Sequence, residues 1–483
     1  MKRGRIYLLT LCLLVFLSAC NAAPATEAES ETVQAQAVSP DEVQSQTQAA
    51  APDGGQEQAA APDGEQSQSQ TAAPDGGQEQ AAAPDGGQSQ SQTAAPDTEL
   101  NSQGDEALKI LPETQYQTGI EVLERSLLAT GNVSRFSKAF EKAANGEEVT
   151  VAFIGGSITE GLNANAETCY AALTVNWMKR VFNNKNIKLI NAGESGTGSK
   201  LGVMRVTPQV LDAKPDIVFI EFAVNDGTDA DSNSAYESLI RKNLNGESEP
   251  AVGLLFTVLK NGYSNQDNMA KIGAYYALPM FTVKDSIFAE ITAGNMTWED
   301  YSNDESHPHT DGHKMVAEIM QYGLEAIYNQ AAEGTASGQL IPNMPTIGRR
   351  YEDIVFLNKN NFDPEDIGSF TKETSDTKPL LNGGWKRAAN DESADPFKFT
   401  LTAKEVYLIY WETPGYGNPH AGSAEIYVNG ELKTTADANK NWGNPAFLSI
   451  AADTQASELK FEIKPAPDTL ANPFWILGIA YIP

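Results

Sequence analysis

The 483-residue chain carries 64 acidic against 34 basic side chains, a formal net charge of -30. That balance disfavours nucleic acid and anionic membrane as partners of the folded part. The length is enough for a large buried core, so a fold stapled by disulfides is not required, and the only cysteines are Cys12, Cys20 and Cys169.

The chain opens Met1-Lys2-Arg3-Gly4-Arg5, runs almost without a polar residue from Ile6 to Leu17, and reaches Ser18-Ala19-Cys20. A basic start, a short apolar core and small residues before a cut site make an export signal, and the core is too short to span a bilayer comfortably. Leu17-Ser18-Ala19-Cys20 resembles the lipobox of bacterial lipoproteins. The resemblance implies cleavage after residue 19, lipidation of Cys20, and a mature protein anchored to the outer face of the cytoplasmic membrane. Cys169 is then the one thiol left, and helical spacing of Tyr170, Leu173, Trp177 and Val181 around it predicts a core position.

Residues 21–106 hold 16 acidic residues, no Lys or Arg and no aromatic residue. Such a segment cannot bury enough apolar surface to fold. Ala-Pro-Asp recurs with its proline at Pro52, Pro62, Pro74, Pro84 and Pro96, a unit of 22 residues with no periodic hydrophobics. This excludes a solenoid and predicts a disordered acidic stalk with an r.m.s. span of roughly 50 Å.

Residues 107–345 read as an α/β domain. Five strand-like runs, 149–154, 187–190, 216–222, 252–258 and 278–283, alternate with helix-compatible stretches, which predicts a parallel sheet covered on both faces. Ligands bind at the carboxyl ends of such strands. There stand Gly155-Gly156-Ser157, the glycine-rich run from Asn191 to Ser199, Ala223-Val224-Asn225-Asp226, and the stretch from Asn303 to His313. Together they supply a hydroxyl, backbone N–H donors, an amide, and a base with its carboxylate.

These four blocks, in this order, resemble the SGNH (GDSL-type) hydrolase family, through Ser157, Gly196, Asn225 and His307. The resemblance covers about 149–328 and implies a flavodoxin-like three-layer α/β/α fold and acyl-ester chemistry without a cofactor. It also implies Ser157 as nucleophile, His307 as general base and Asp304 as the carboxylate that orients it. The oxyanion donors would be the N–H groups of Ser157 and Gly196 and the Asn225 amide. Gly156 replaces the family's usual Asp, and Ala223 a frequent Gly. The serine block is nearer the family's carbohydrate-esterase branches than its lipases.

The residues support the same chemistry by themselves, because imidazole can take the proton of an attacking serine near neutral pH and Asp304 lies three residues from His307. A metal cluster of His307, His309, Asp311 and His313 is the rival, but Pro308 and Gly312 interrupt any single helical face, so no metal is expected. Glu160 and Asp226 are candidate substrate contacts. Asp229 and Asp231 suggest a solvated loop, and Arg205 is either an anchor for the loop after Gly196 or the partner of a surface carboxylate.

Residues 351–483 change to period two. Leu459, Phe461 and Ile463 alternate with charged residues, and Asn429-Gly430 reads as a hairpin turn. Further strands are expected at 397–401, 406–411, 447–450 and 474–481. This predicts a β-sandwich resembling the jelly-roll modules of carbohydrate-active enzymes, with Trp411, Tyr416, His420 and Trp442 as candidates for stacking on sugar or capping the core. The expectation is an exported esterase that removes small acyl groups, acetyl first, from a polysaccharide. The alternatives are an O-acyltransferase, a lipase, a thioesterase or a non-catalytic polysaccharide-binding lipoprotein.

Overall fold

A computed structural model describes residues 111–334, 337–374, 383–412, 421–440 and 443–483. The expected signal, Cys20 and the stalk lie outside them, as do Tyr416, His420 and Trp442. Among the described residues no helix is long and apolar enough to cross a membrane.

The first sheet contains β1 (Leu127–Ala129), β2 (Val149–Gly155), β3 (Ile187–Gly193), β4 (Ile217–Glu221), β5 (Ala251–Phe256) and β6 (Met280–Thr282), in the spatial order β1-β6-β5-β4-β2-β3. β2 to β6 are parallel, as the alternation of strands and helices predicts, while β1 adds an antiparallel edge beside β6. β1 escaped the sequence reading because it has three residues and follows helix α1 (Ile120–Ser126) directly. From β2 the chain moves outward to β3, then returns to the other side of β2 to form β4. That reversal opens the crevice in which doubly wound sheets bind their ligands.

Every residue of β2, β4 and β5 is buried, as expected of strands covered on both faces. One face is covered by α1, α2 (Ser134–Ala144), α4 (Tyr170–Val181), α8 (Ile287–Ala293) and α9 (Thr310–Ala332), packing residues such as Leu123, Phe136, Trp177, Ile287 and Ile319. The other is covered by α5 (Ser199–Gln209), α6 (Ala230–Leu244) and α7 (Gln266–Tyr275), through Val203, Leu239 and Ile272. The short helix α3 (Ser157–Glu160) follows β2. Cys169 is a buried thiol immediately before α4, as its spacing predicts.

The C-terminal strands form one antiparallel eight-stranded sheet, β12-β11-β13-β10-β14-β9-β8, with β7 beside β14. They are β7 (Val355–Leu357), β8 (Thr371–Lys372), β9 (Trp385–Arg387), β10 (Phe397–Trp411), β11 (Ser423–Val428), β12 (Glu431–Asp437), β13 (Pro445–Pro465) and β14 (Phe474–Ile482). The runs expected as separate strands at 397–401 and 406–411 are one strand, β10. Irregularities between Ala403 and Glu405 and between Val406 and Tyr407 break its alternation and make it read as two. Asn429 (φ 52°) and Gly430 (φ 85°) form the expected tight turn between β11 and β12.

Alternation along β10 decides how the two domains meet. Val406, Leu408 and Tyr410 point into the core of the β domain, whereas Tyr407 and Ile409 join the core beneath α5 and α6. The linker is pinned as well. The carboxylate of Glu237, buried in α6, accepts the backbone N–H groups of Thr346, Ile347 and Gly348 at 2.6, 2.6 and 2.8 Å. Arg350 then bridges Asp231 at 2.8 Å and Glu405 at 2.7 Å. Residues 99–483 accordingly make up one compact unit.

Because one apolar core spans both domains, calorimetry should record a single unfolding transition for them. Ile409→Ala should lower its midpoint, with a cost of about 2–5 kcal/mol. Two transitions, with only one moved by the substitution, would contradict a shared core.

Candidate active site

The ends of β2, β3 and β4 lie in register, Gly155 opposite both Gly193 and Glu221. The loops that follow are thereby delivered to one level. Ser157 opens α3, where its N–H has no carbonyl one turn earlier to bond. Its Oγ lies 2.9 Å from His307 Nε2, and His307 Nδ1 lies 2.9 Å from Asp304 Oδ2. Burial alone would raise the Asp304 carboxyl, but the N–H groups of His307 and Ser306, the imidazole and the Asn163 amide outweigh it and hold it at about 2. An ionised carboxylate only accepts, so Nδ1 carries the proton and Nε2 is free to accept from Ser157.

Asn163 was not foreseen. At φ 67° it directs its amide to Asp304 Oδ2 (2.8 Å) and to the His307 carbonyl (3.2 Å), fixing both partners from the nucleophile's side. Its one sequence cue is the tolerance of asparagine for left-handed backbone.

Asn225 places its carboxamide directly on Gly156. A Cβ there would stand 2.5 Å from Oδ1 and 2.9 Å from Nδ2. Glycine at this position leaves the room that the amide occupies. Gly196, at φ 72°, lies against Asn444 of the C-terminal domain, whose Oδ1 would be 2.1 Å from a Cβ. Asn444, also unforeseen, brings a second-domain amide to the edge of the site.

Under the serine loop, Glu221 accepts from Thr159 Oγ1 (3.0 Å), Thr257 Oγ1 (2.6 Å) and the Gly156 N–H, while burial raises its pKa. Thr159 also meets the Tyr170 hydroxyl at 2.8 Å. Buried Arg205 binds the carbonyls of Gly155 (2.7 Å) and Ala192 (2.5 Å), together with Thr197 Oγ1 (3.1 Å). It is the loop anchor of the two roles considered, and burial lowers it to about 10.

Several expected roles change. Glu160 accepts from the Ser195 N–H at 2.7 Å and from its hydroxyl, joining two loops of the site rather than standing free for substrate. Asp226 is buried and accepts from Ser199 N at 2.8 Å, and burial pushes its carboxyl up to about 7. Asp229 stands in an exposed loop, as expected, and caps α6 through Ser232 N, whereas Asp231, within α6, is half-buried and pairs with Lys200 and Arg350. Trp411 packs with Trp475, ring centroids 6.2 Å apart.

His307, His309 and His313 do not converge on a common point. His309 caps α9, accepting from Asp311 and Gly312 N–H at 3.2 Å each. His313 is fully buried, takes the Tyr170 N–H at 3.2 Å and meets the Leu162 carbonyl at 3.3 Å. Among the described residues no three His, Cys, Asp or Glu side chains are arranged to hold a metal ion.

The comparisons agree with this geometry. Residues 153–315 match the GDSL-like lipase/acylhydrolase family. This region is a GDSL-type ester-hydrolase domain. The chain is similar to a two-domain esterase active on acetylated mannans. That enzyme, solved with mannopentaose, is 27% identical with a TM-score of 0.67, over 74% of this chain and 97% of the other. A structure described in the same terms without mannopentaose gives 27%, 0.68, 74% and 98%. No curated protein matches the chain.

Gly156→Ala should displace the Asn225 amide and lower kcat toward the loss of one oxyanion donor, about 10²- to 10³-fold, with KM little changed. Kinetics on a small acetyl ester would check it, and undiminished kcat would contradict the contact. Burial lowers His313 to about 4. With its folded pKa below its unfolded one, its contribution to stability is present above the unfolded value and lost as pH falls through the folded value. His313→Gln should therefore flatten the acid side of a melting-temperature profile between about pH 6.5 and 4. The difference from wild type isolates His313, since the raised carboxyl of Asp226 pulls the opposite way.

Proposed function

We propose that the protein is a serine esterase that removes acetyl groups from a polysaccharide through an acyl-Ser157 intermediate. The observation that carries this reading is the unbroken chain Ser157 Oγ, His307, Asp304, with both distances 2.9 Å. His307 Nε2 takes the hydroxyl proton as Ser157 Oγ bonds to the acyl carbon, and the carbonyl electrons move onto oxygen. The N–H groups of Ser157 and Gly196 and the Asn225 amide receive that charge. As the intermediate collapses, the sugar oxygen leaves with the proton from His307. Water then repeats the sequence on the acyl-serine, releasing acetate and restoring the hydroxyl. Asp304 keeps Nδ1 protonated and stabilises the imidazolium in both halves.

A polymeric substrate is favoured by the relative active on acetylated mannans and by Asn444, which brings the second domain to the rim of the site. The proposed place of action is the cell surface, with Cys20 as the lipidated anchor and residues 21–106 as the spacer, a reading supported by the leader and its Leu17-Ser18-Ala19-Cys20 motif.

Acetate release from acetylated mannan and other acetylated polysaccharides, with p-nitrophenyl esters of rising chain length alongside, tests the function. Ser157→Ala and His307→Ala should each lose at least about 10³-fold in kcat. Unchanged turnover in Ser157→Ala would end the nucleophile assignment. A preference for long acyl chains would favour a lipase, and acetyl transfer to an added sugar without free acetate would favour an acyltransferase.

A further inference from the structure

Helix α5 begins three residues after Gly196 and cannot cap itself, because its N-cap residue is Gly198, which has no side chain. The cap comes from another loop. Asp226 Oδ1 accepts the Ser199 N–H at 2.8 Å, and a Cβ on Gly198 would stand 2.4 Å from the same oxygen. Asp226 adjoins Asn225, so one carboxyl joins the start of the Gly196-side helix to the turn that carries the amide donor. We propose that Asp226 is a positioning residue that sets the spacing between the Gly196 N–H and the Asn225 amide, a role that rests on the serine-esterase reading.

The surroundings favour positioning over general stabilisation. The carboxyl is buried, and its Oδ2 has no hydrogen-bond partner among the described residues, so a group that is costly to bury is kept there for its contacts with Ser199. The charged and titratable groups around it are Lys200 on α5, Glu221 at the end of β4, and Tyr236 on α6, whose buried hydroxyl also has no partner among the described residues. Tyr263 donates to the Asp226 carbonyl at 2.6 Å and holds the turn from the far side. Capping supplied by residue 198 would stabilise α5 equally well without fixing it to Asn225. Capping from Asp226 does both.

A double-mutant cycle on the full chain tests this, with kcat and KM measured on p-nitrophenyl acetate. Asp226→Ala should lower kcat by about tenfold or more with KM within about twofold. Asp226→Asn, which keeps the accepting oxygen, should recover most of that loss. With Asn225 already replaced by Ala, Asp226→Ala should cost less than about twofold further, because residues acting through one group are not additive. The full loss in the Asn225→Ala background, or equal damage from Asp226→Asn and Asp226→Ala, would overturn the proposal. Should Asp226→Ala not fold, Ser199→Pro removes the donor from the other side at a first helical position, where proline is tolerated, and the same cycle applies. Loss of activity in Ser157→Ala together with an additive cycle sinks this proposal alone, whereas full activity in Ser157→Ala sinks the esterase reading and this proposal with it.

Discussion

The buried guanidinium of Arg205 is the contact on which the site depends. It divides its donors between two backbone carbonyls, at the ends of β2 and β3, and two side chains, Thr197 and Gln209. Burying a cation is costly, and the desolvation that lowers Arg205 expresses that cost. The return is geometric. Two neighbouring strand ends are joined through one rigid fork, and the serine loop and the Gly196 loop leave the sheet from a common floor.

From that floor the loops brace one another more than they are braced by the strands. Asn225 rests on Gly156, Asp226 reaches Ser199, Glu160 reaches Ser195, and Asn163 reaches Asp304. Glu221 lies beneath the serine loop as a buried carboxyl with a hydroxyl on each oxygen. The contacts of Asp226 and Glu221 are buried, in a region of low dielectric where each bond is stronger than in water and each missing partner costs more. Such a network gives an oxyanion site what it needs, donors that do not have to reorganise when charge develops.

The second domain shares a core with the first and is held by Glu237 and Arg350. A face of β10 that would be wet in a free-standing sandwich is dry here, so the orientation of the β domain is part of the fold. That fixed orientation is what allows a residue as distant in sequence as Asn444 to lie against Gly196.

Much of this protein was legible from sequence. Strand-length apolar runs ending in small or polar residues identified the parallel sheet and the positions after β2, β3 and β4. The histidine and carboxylate three residues apart identified the pair now seen at 2.9 Å. Period-two alternation and Asn429-Gly430 identified the β domain. These features are local, and periodicity or turn chemistry encodes them in a few neighbouring residues. The bracing contacts were not legible, since Asn163, Glu221 and Asn444 carry no motif and acquire their roles from residues 36 or more positions away or from another domain. The bracing bonds of Glu160 and Asp226, read only as candidate substrate contacts, were hidden for the same reason: a carboxylate near a motif looks free until the fold shows which N–H it faces. The sequence alone determined which groups could do the chemistry; only the tertiary structure decided which of them face the serine and which hold it still, because burial and hydrogen-bond partners are properties of packing, not of spacing.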